Sequence, residues 1–151
     1  MSATVFVDTS VLIRSEDGAD VPGRALVMAW LHQLWLRRLG RVSTQVLNDF
    51  YRLVTTRIEP AMPNGDARAE VRRYQRWQPW AIDHATVESA WSMESRFGLP
   101  SADALILAAA KAQGCSLLLS LDLSHEQVFD SVQIINPLLS GPERLADLKK
   151  P

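Results

Sequence analysis

The arrangement of short apolar runs between longer stretches of helical spacing constrains this chain more than any other feature. "TVFV" at residues 4 to 7 and "CSLLLS" at 115 to 120 read as short buried strands, and "VQIIN" at 132 to 136 as a last one before Pro137. "RVS" at 41 to 43 and "WAID" at 80 to 83 are expected to add two more. Between them lie helical segments. Asp20 and Pro22 start "DVPGRALVMAWLHQLWLRRLG", with Gly40 as its stop, Leu26, Trp30, Leu34 along one row and Val27, Leu31, Trp35 along the next. Ser43 or Thr44 caps "TQVLNDFYRLVTTRI". The two prolines and Asn-Gly of "EPAMPNGD" mark a loop, a basic helix follows through about Trp77, and "HATVESAWSMESRFG" ends on Gly98. In "LPSADALILAAAKAQG", Ser101 is the expected N-cap, Gly114 the stop, and the apolar body the mark of a helix buried on most sides. Strands alternating with helices predict an α/β domain with a largely parallel sheet.

The chain has 151 residues, suited to one domain with a real core. Its 47% hydrophobic and 22% charged residues are ordinary for a globular protein and exclude a disordered or fibrous class. No apolar run is long enough to span a bilayer, and "MSATVFVD" lacks the features of a secretory signal, so a cytoplasmic location is expected. Cys115 is the only cysteine, which excludes an internal disulfide and a thiolate zinc cluster within one chain. A net charge of −1 provides no global attraction to nucleic acid, so any phosphate contact must be local. Arg68, Arg72 and Arg76 recur at i, i+4, i+8 beside Arg73, a stripe that suits bidentate phosphate contact or a solvated helix face.

The acids are placed where an open parallel sheet gathers its ligands, beyond the carboxyl ends of the strands. Asp8 ends the first strand and Asp122 follows "CSLLLSL". Asp103 stands in the first turn of the buried helix, where it also suits the helix dipole. Asp49 borders a buried stripe of its own helix. Carboxylates converging within about 4 Å repel by roughly 4 kcal/mol per pair at an effective dielectric of 20. Protonation relieves that, and a hard divalent cation relieves it better while enabling phosphodiester hydrolysis. Thr9 and Ser10 are the nearest hydroxyls, with local turn bonding the alternative role for both.

"VFVDTSVLI", "STQVLNDFYRLVT", "LPSADALILAAA" and "LLLSLDLSHEQVFDSVQIINPL" resemble, in order and spacing, the four acidic motifs of the PIN-domain ribonucleases, particularly the toxins of VapBC-type toxin-antitoxin pairs. The resemblance covers about residues 4 to 137 of a single domain spanning 1 to 151, leaving a short C-terminal extension at 138 to 151. It implies a three-layer α/β/α PIN-like fold around a central, largely parallel sheet. It also implies Mg²⁺- or Mn²⁺-dependent cleavage of RNA, a homodimer, and a small antitoxin that covers the active-site groove. Residue by residue, Asp8, Asp103 and Asp122 match the metal-binding acids, Asp49 falls where the family usually has glutamate, and Ser10 matches the small hydroxyl residue near the metal. Asp49 is one methylene shorter than glutamate, and Leu121 stands where many relatives carry a second acid. Glu126 replaces a common glycine and Ala102 a frequent aromatic.

Two other readings fit part of the same residues. A PIN fold that grips RNA or a protein partner without cutting is compatible with Asp49 and Leu121, and a phosphoacceptor aspartate is compatible with the first motif alone. His125, in a loop beside Ser124 and Glu126, suits a hydrogen-bonded loop role better than a catalytic one.

Overall fold

The computed structural model describes residues 3–149. Met1 and Ser2 of the expected domain, and the last two residues of the expected extension, lie outside the described residues. Strand β1 (Val5–Val7) is buried at every position, and helix α1 (Thr9–Glu16) starts directly after it. Then follow α2 (Val21–Arg37), β2 (Gly40–Arg41), α3 (Thr44–Val54), α4 (Asn64–Arg73), a 3₁₀ turn (Tyr74–Trp77), α5 (His84–Phe97) and α6 (Ser101–Ala112). The chain closes with β3 (Leu117–Leu119), β4 (Val128–Phe129), β5 (Val132–Ile135) and a second 3₁₀ segment (Pro142–Lys149).

The five strands lie in the order β2-β1-β3-β5-β4. The first four are parallel to one another, and β4 pairs antiparallel with β5. The expected three-layer α/β fold with a largely parallel sheet is therefore present. From β1 the chain moves outward to β2, then returns to the other side of β1 for β3. The gap between β1 and β3 is thus a topological switch point, where such sheets open a crevice at the carboxyl ends of their strands. Register fixes what meets there: Val7 is opposite Leu119, so Asp8 and Ser120 leave the sheet side by side.

Several local expectations need correction. Helix α2 stops one turn before Gly40: Arg38 is its C-cap at φ 58°, with its N–H bonded to the carbonyls of Leu34 and Trp35. Gly40 instead lies flat against the Trp77 indole, where a Cβ would stand 2.6 Å from the ring. The "WAID" strand is reduced to a bridge between Ser43 and Trp80, and the "RVS" strand is shifted to Gly40–Arg41. Ser43 caps α3 by accepting from the Val46 N–H, whereas Thr44 Oγ1 accepts from Ile82 N. Ser101 does not cap α6; Pro100 occupies that position without a side-chain bond. Leu26, placed by spacing on the buried row of α2, is half exposed, while Trp30 and Leu34 are fully buried.

The C-terminal segment packs onto the core. Trp30 Nε1 donates to the Ser140 carbonyl at 2.8 Å, Leu145 is buried, and Arg144 pairs with Glu126 at 2.9 Å. No described helix is long and apolar enough to cross a membrane.

Candidate active site

Asp8 is the most constrained acid in the chain. It is 6% exposed, and its position after β1 makes it the N-cap of α1, with Oδ1 accepting from Thr9 N at 2.7 Å. Its other oxygen, Oδ2, accepts from Ser120 Oγ at 2.8 Å and from Ser10 Oγ at 3.3 Å. Burial raises its pKa to about 6, with Asp122 and Asp103 pushing in the same direction and the Ser120 and Thr9 bonds opposing them.

Ser120 is the residue sequence reasoning missed. It is fully buried at the end of β3, and its hydroxyl serves two sides of the site. It donates to Asp8 and accepts from the N–H groups of Asp122 at 3.1 Å and Leu123 at 3.2 Å, so it shapes the turn that presents Asp122. Its signal was present as a serine directly ahead of "LD" at the end of an apolar strand, in register with the first acid. Ser10 makes a parallel link, donating to Asp8 and accepting from Leu121 N at 3.1 Å.

Asp8, Asp49, Asp103 and Asp122 all line one cleft of about 530 Å³, together with Ser10 and Arg14. Asp8 comes from β1, Asp122 from the turn after β3, Asp103 from the first turn of α6 and Asp49 from the middle of α3. Asp103 is held above the ordinary carboxylate range by partial burial and by the charge of Asp122. The charge of Asp122 thus bears on both Asp8 and Asp103, and that of Asp103 on Asp8. Asp49 lines the same cleft and has Arg52 one turn along its helix at 3.6 Å. Among the described residues, no three His, Cys, Asp or Glu side chains stand close enough together to hold a metal ion. The close convergence expected from the sequence is thus a shared cleft, not a closed coordination shell. The donor set nevertheless fits a hard divalent cation: oxygen ligands only, one of them a buried carboxylate that pays for its charge without a cationic partner.

His125 has a structural role, as expected. Its Nδ1 accepts from Asn136 N at 3.0 Å, and Nε2 lies 3.4 Å from Ser140 Oγ. The arginine stripe divides. Arg68 and Arg72 line a groove of about 460 Å³ on the other flank of α3, with Asn48 and Tyr51. Arg73 pairs with Glu70 and lies over Trp35, 4.4 Å from its ring centroid. Arg76 is carried by the 3₁₀ turn to a separate cleft.

The chain belongs to the PIN domain family, whose model matches residues 5–129. Solved structures of similar fold include VapC20 of Mycobacterium tuberculosis, a Sarcin-Ricin loop cleaving toxin, at 19% identity and a TM-score of 0.60 over 76% of this chain and 87% of that one. A toxin-antitoxin complex from Klebsiella pneumoniae is similar at 16% identity and a TM-score of 0.62, covering 89% of this chain and 98% of the other. FitAB bound to an IR36 DNA fragment is similar at 17% identity and 0.60, over 89% and 96%. No curated protein matches the sequence significantly.

Proposed function

We propose that this chain is a metal-dependent endoribonuclease of the toxin class, held in check by a cognate antitoxin. The observation that carries this reading is that Asp8, Asp103 and Asp122, delivered by three different elements, line one cleft at the switch point of a PIN fold. Relatives of the same fold support the substrate class and the partner: one is a toxin that cleaves the Sarcin-Ricin loop, and another is a toxin-antitoxin complex.

In this reading Asp8, Asp103 and Asp122 hold Mg²⁺ or Mn²⁺. Such a cation, when bound, supplies Lewis acidity toward a phosphoryl oxygen and makes water easier to deprotonate. The protein's own groups do the rest. Ser120 and Ser10 hold the Asp8 carboxylate in one orientation, and Ser120 also fixes the Asp122 turn. Asp49 either helps hold the cation through water or accepts the proton of the attacking water, whose oxygen bonds to phosphorus as the bond to the 3′-oxygen breaks and that oxygen takes a proton from solvent. Arg68 and Arg72, across α3, provide charge for the flanking backbone. Exposed Val21, Leu26, Met28 and Leu36 give α2 an apolar outer surface suited to a second copy or an antitoxin, and the reaction belongs in the cytoplasm.

Cleavage of a structured RNA by the purified chain, lost on chelation and in Asp8→Asn, is the expected result. Cleavage that survives both treatments would sink the proposal.

The ion pair between Asp49 and Arg52 favours a second reading, a PIN fold that binds RNA or a partner with little catalysis. Asp49→Glu separates the two. A large gain in cleavage identifies a weakened enzyme, while unchanged background cleavage alongside tight RNA binding identifies a binding module.

A further inference from the structure

Arg38, Arg41 and Arg76 line a cleft of about 450 Å³ floored by Gly40 and Trp77. Among the described residues, none of these three guanidinium groups is paired with a carboxylate. Their placement is fixed by the backbone around them. Arg38 caps α2 in the left-handed conformation, and Arg41 Nη1 donates to the Gly40 carbonyl at 2.8 Å and the Arg38 carbonyl at 3.4 Å, leaving its other nitrogens free. Arg76 reaches the cleft because the 3₁₀ turn breaks the α4 stripe, and Gln78, also left-handed at φ 51°, ends that turn. The charged lining consists of donors, so the missing partner is an acceptor-rich anion.

Position separates this cleft from the acids. Gly40 is in register with Val5, at the start of β1, whereas Asp8 follows its end. The arginine cleft therefore lies at the opposite end of the sheet from the carboxylates, about 10 Å away along the strand direction alone. The carboxylate cleft repels phosphate, and the net charge of −1 offers no general attraction, so a polyanionic substrate needs local cationic anchors away from the cut.

We propose that Arg38, Arg41 and Arg76 form a second RNA-contact site that grips a backbone phosphate remote from the scissile bond. The anion site stands on this geometry; the naming of RNA as the polyanion rests on the nuclease reading. Planar guanidinium forks suit phosphate oxygens bidentately, and that of Arg41 is already anchored through Nη1 to two backbone carbonyls.

The test measures binding of a single-stranded RNA in chelator, between about 50 and 200 mM salt. The triple variant Arg38→Gln, Arg41→Gln, Arg76→Gln is expected to bind more weakly, with a slope of log K against log salt shallower by about 0.7 or more, the value for one phosphate contact. Its KM for long RNA should rise while kcat is kept, and Asp8→Asn should retain the wild-type salt slope. Arg38→Gln and Arg76→Gln singly serve if the triple variant melts early. Wild-type cleavage with unchanged affinity and slope in the variants overturns this proposal alone. Lost binding of an acidic peptide with RNA binding intact overturns the RNA assignment. A wild-type chain that neither binds nor cuts RNA fails the nuclease reading itself, and the RNA assignment falls with it.

Discussion

Ser120 donates its hydroxyl to Asp8 Oδ2 at 2.8 Å, joining the ends of two adjacent parallel strands through a fully buried side chain. Because the same oxygen accepts from Asp122 N and Leu123 N, one hydroxyl sets both the protonation behaviour of the first acid and the path of the chain that carries the last.

Ser120→Ala removes all three bonds at once. The loss of a bond to a carboxylate and of two part-buried N–H bonds together predicts a cost of about 1 to 3 kcal/mol. Urea unfolding of the metal-free protein measures it. The pKa of Asp8 should rise above its wild-type value, since the Ser120 bond favours the charged form. A stability loss with an unchanged Asp8 titration by NMR would contradict the coupling.

Asp8 sets a pH dependence whose sign is the reverse of an ion-paired aspartate. Its folded pKa of about 6 exceeds the ordinary 3.8, so the folded chain holds this proton more tightly than the unfolded one. Its favourable contribution is complete below about pH 3.8 and is lost as pH rises to 6, on the order of 3 kcal/mol in all. Asp8→Asn should therefore stabilise the chelated protein at pH 7 by about 1 to 3 kcal/mol and flatten its stability between pH 4 and 6. Denaturant midpoints across that range, wild type beside variant, give the answer.

Divalent cations should raise the melting temperature of the wild-type chain. Binding to the folded state alone gives about 2.7 kcal/mol at a cation concentration one hundred times Kd. Asp103→Asn and Asp122→Asn should each weaken that stabilisation at least tenfold in concentration, and chelator should abolish it. An equal response to Mn²⁺ in wild type and both variants would place the cation elsewhere.

Gly40→Ala tests the edge of the sheet independently of the acids. The new methyl would press on the face of the Trp77 indole, which sits in an aromatic cluster with Trp35 and Tyr74 at centroid distances of 4.9 and 4.8 Å. Overpacking of this kind costs about 1 to 3 kcal/mol. Thermal unfolding followed by tryptophan fluorescence should show the shift, with Asp8 titrating as in wild type.

The parallel sheet was legible from simple periodicities, and the grouping of the four acids from the resemblance of their motifs to those of the family. A buried strand that ends in aspartate declares its own polarity, and the sequence positions of Asp8, Asp103 and Asp122 already place them at one end of alternating units. Asp49 was legible as a border residue but not as a partner of Arg52, since an i, i+3 pair on a helix is only one of several rotamer choices. Helix α1 is hard to read from the sequence, because "SVLI" is apolar and partly β-branched and only the cap supplied by Asp8 marks the start of the helix. Gly40 looked like a helix stop because glycine usually is one, and only the approach of Trp77, 37 positions downstream, reveals that it makes room for a ring. Ser120 was passed over for a related reason: its importance depends on a strand register that no local window contains.

The family match ends at residue 129, yet the turn carrying Asp122 is braced from beyond it. His125 is held by Asn136, Glu126 by Arg144, and the Ser140 carbonyl by Trp30 of α2. All four acids thus lie in the matched region while part of what holds the loop after Asp122 lies outside it, so a fragment trimmed to the recognisable motif would keep every acid and lose these braces.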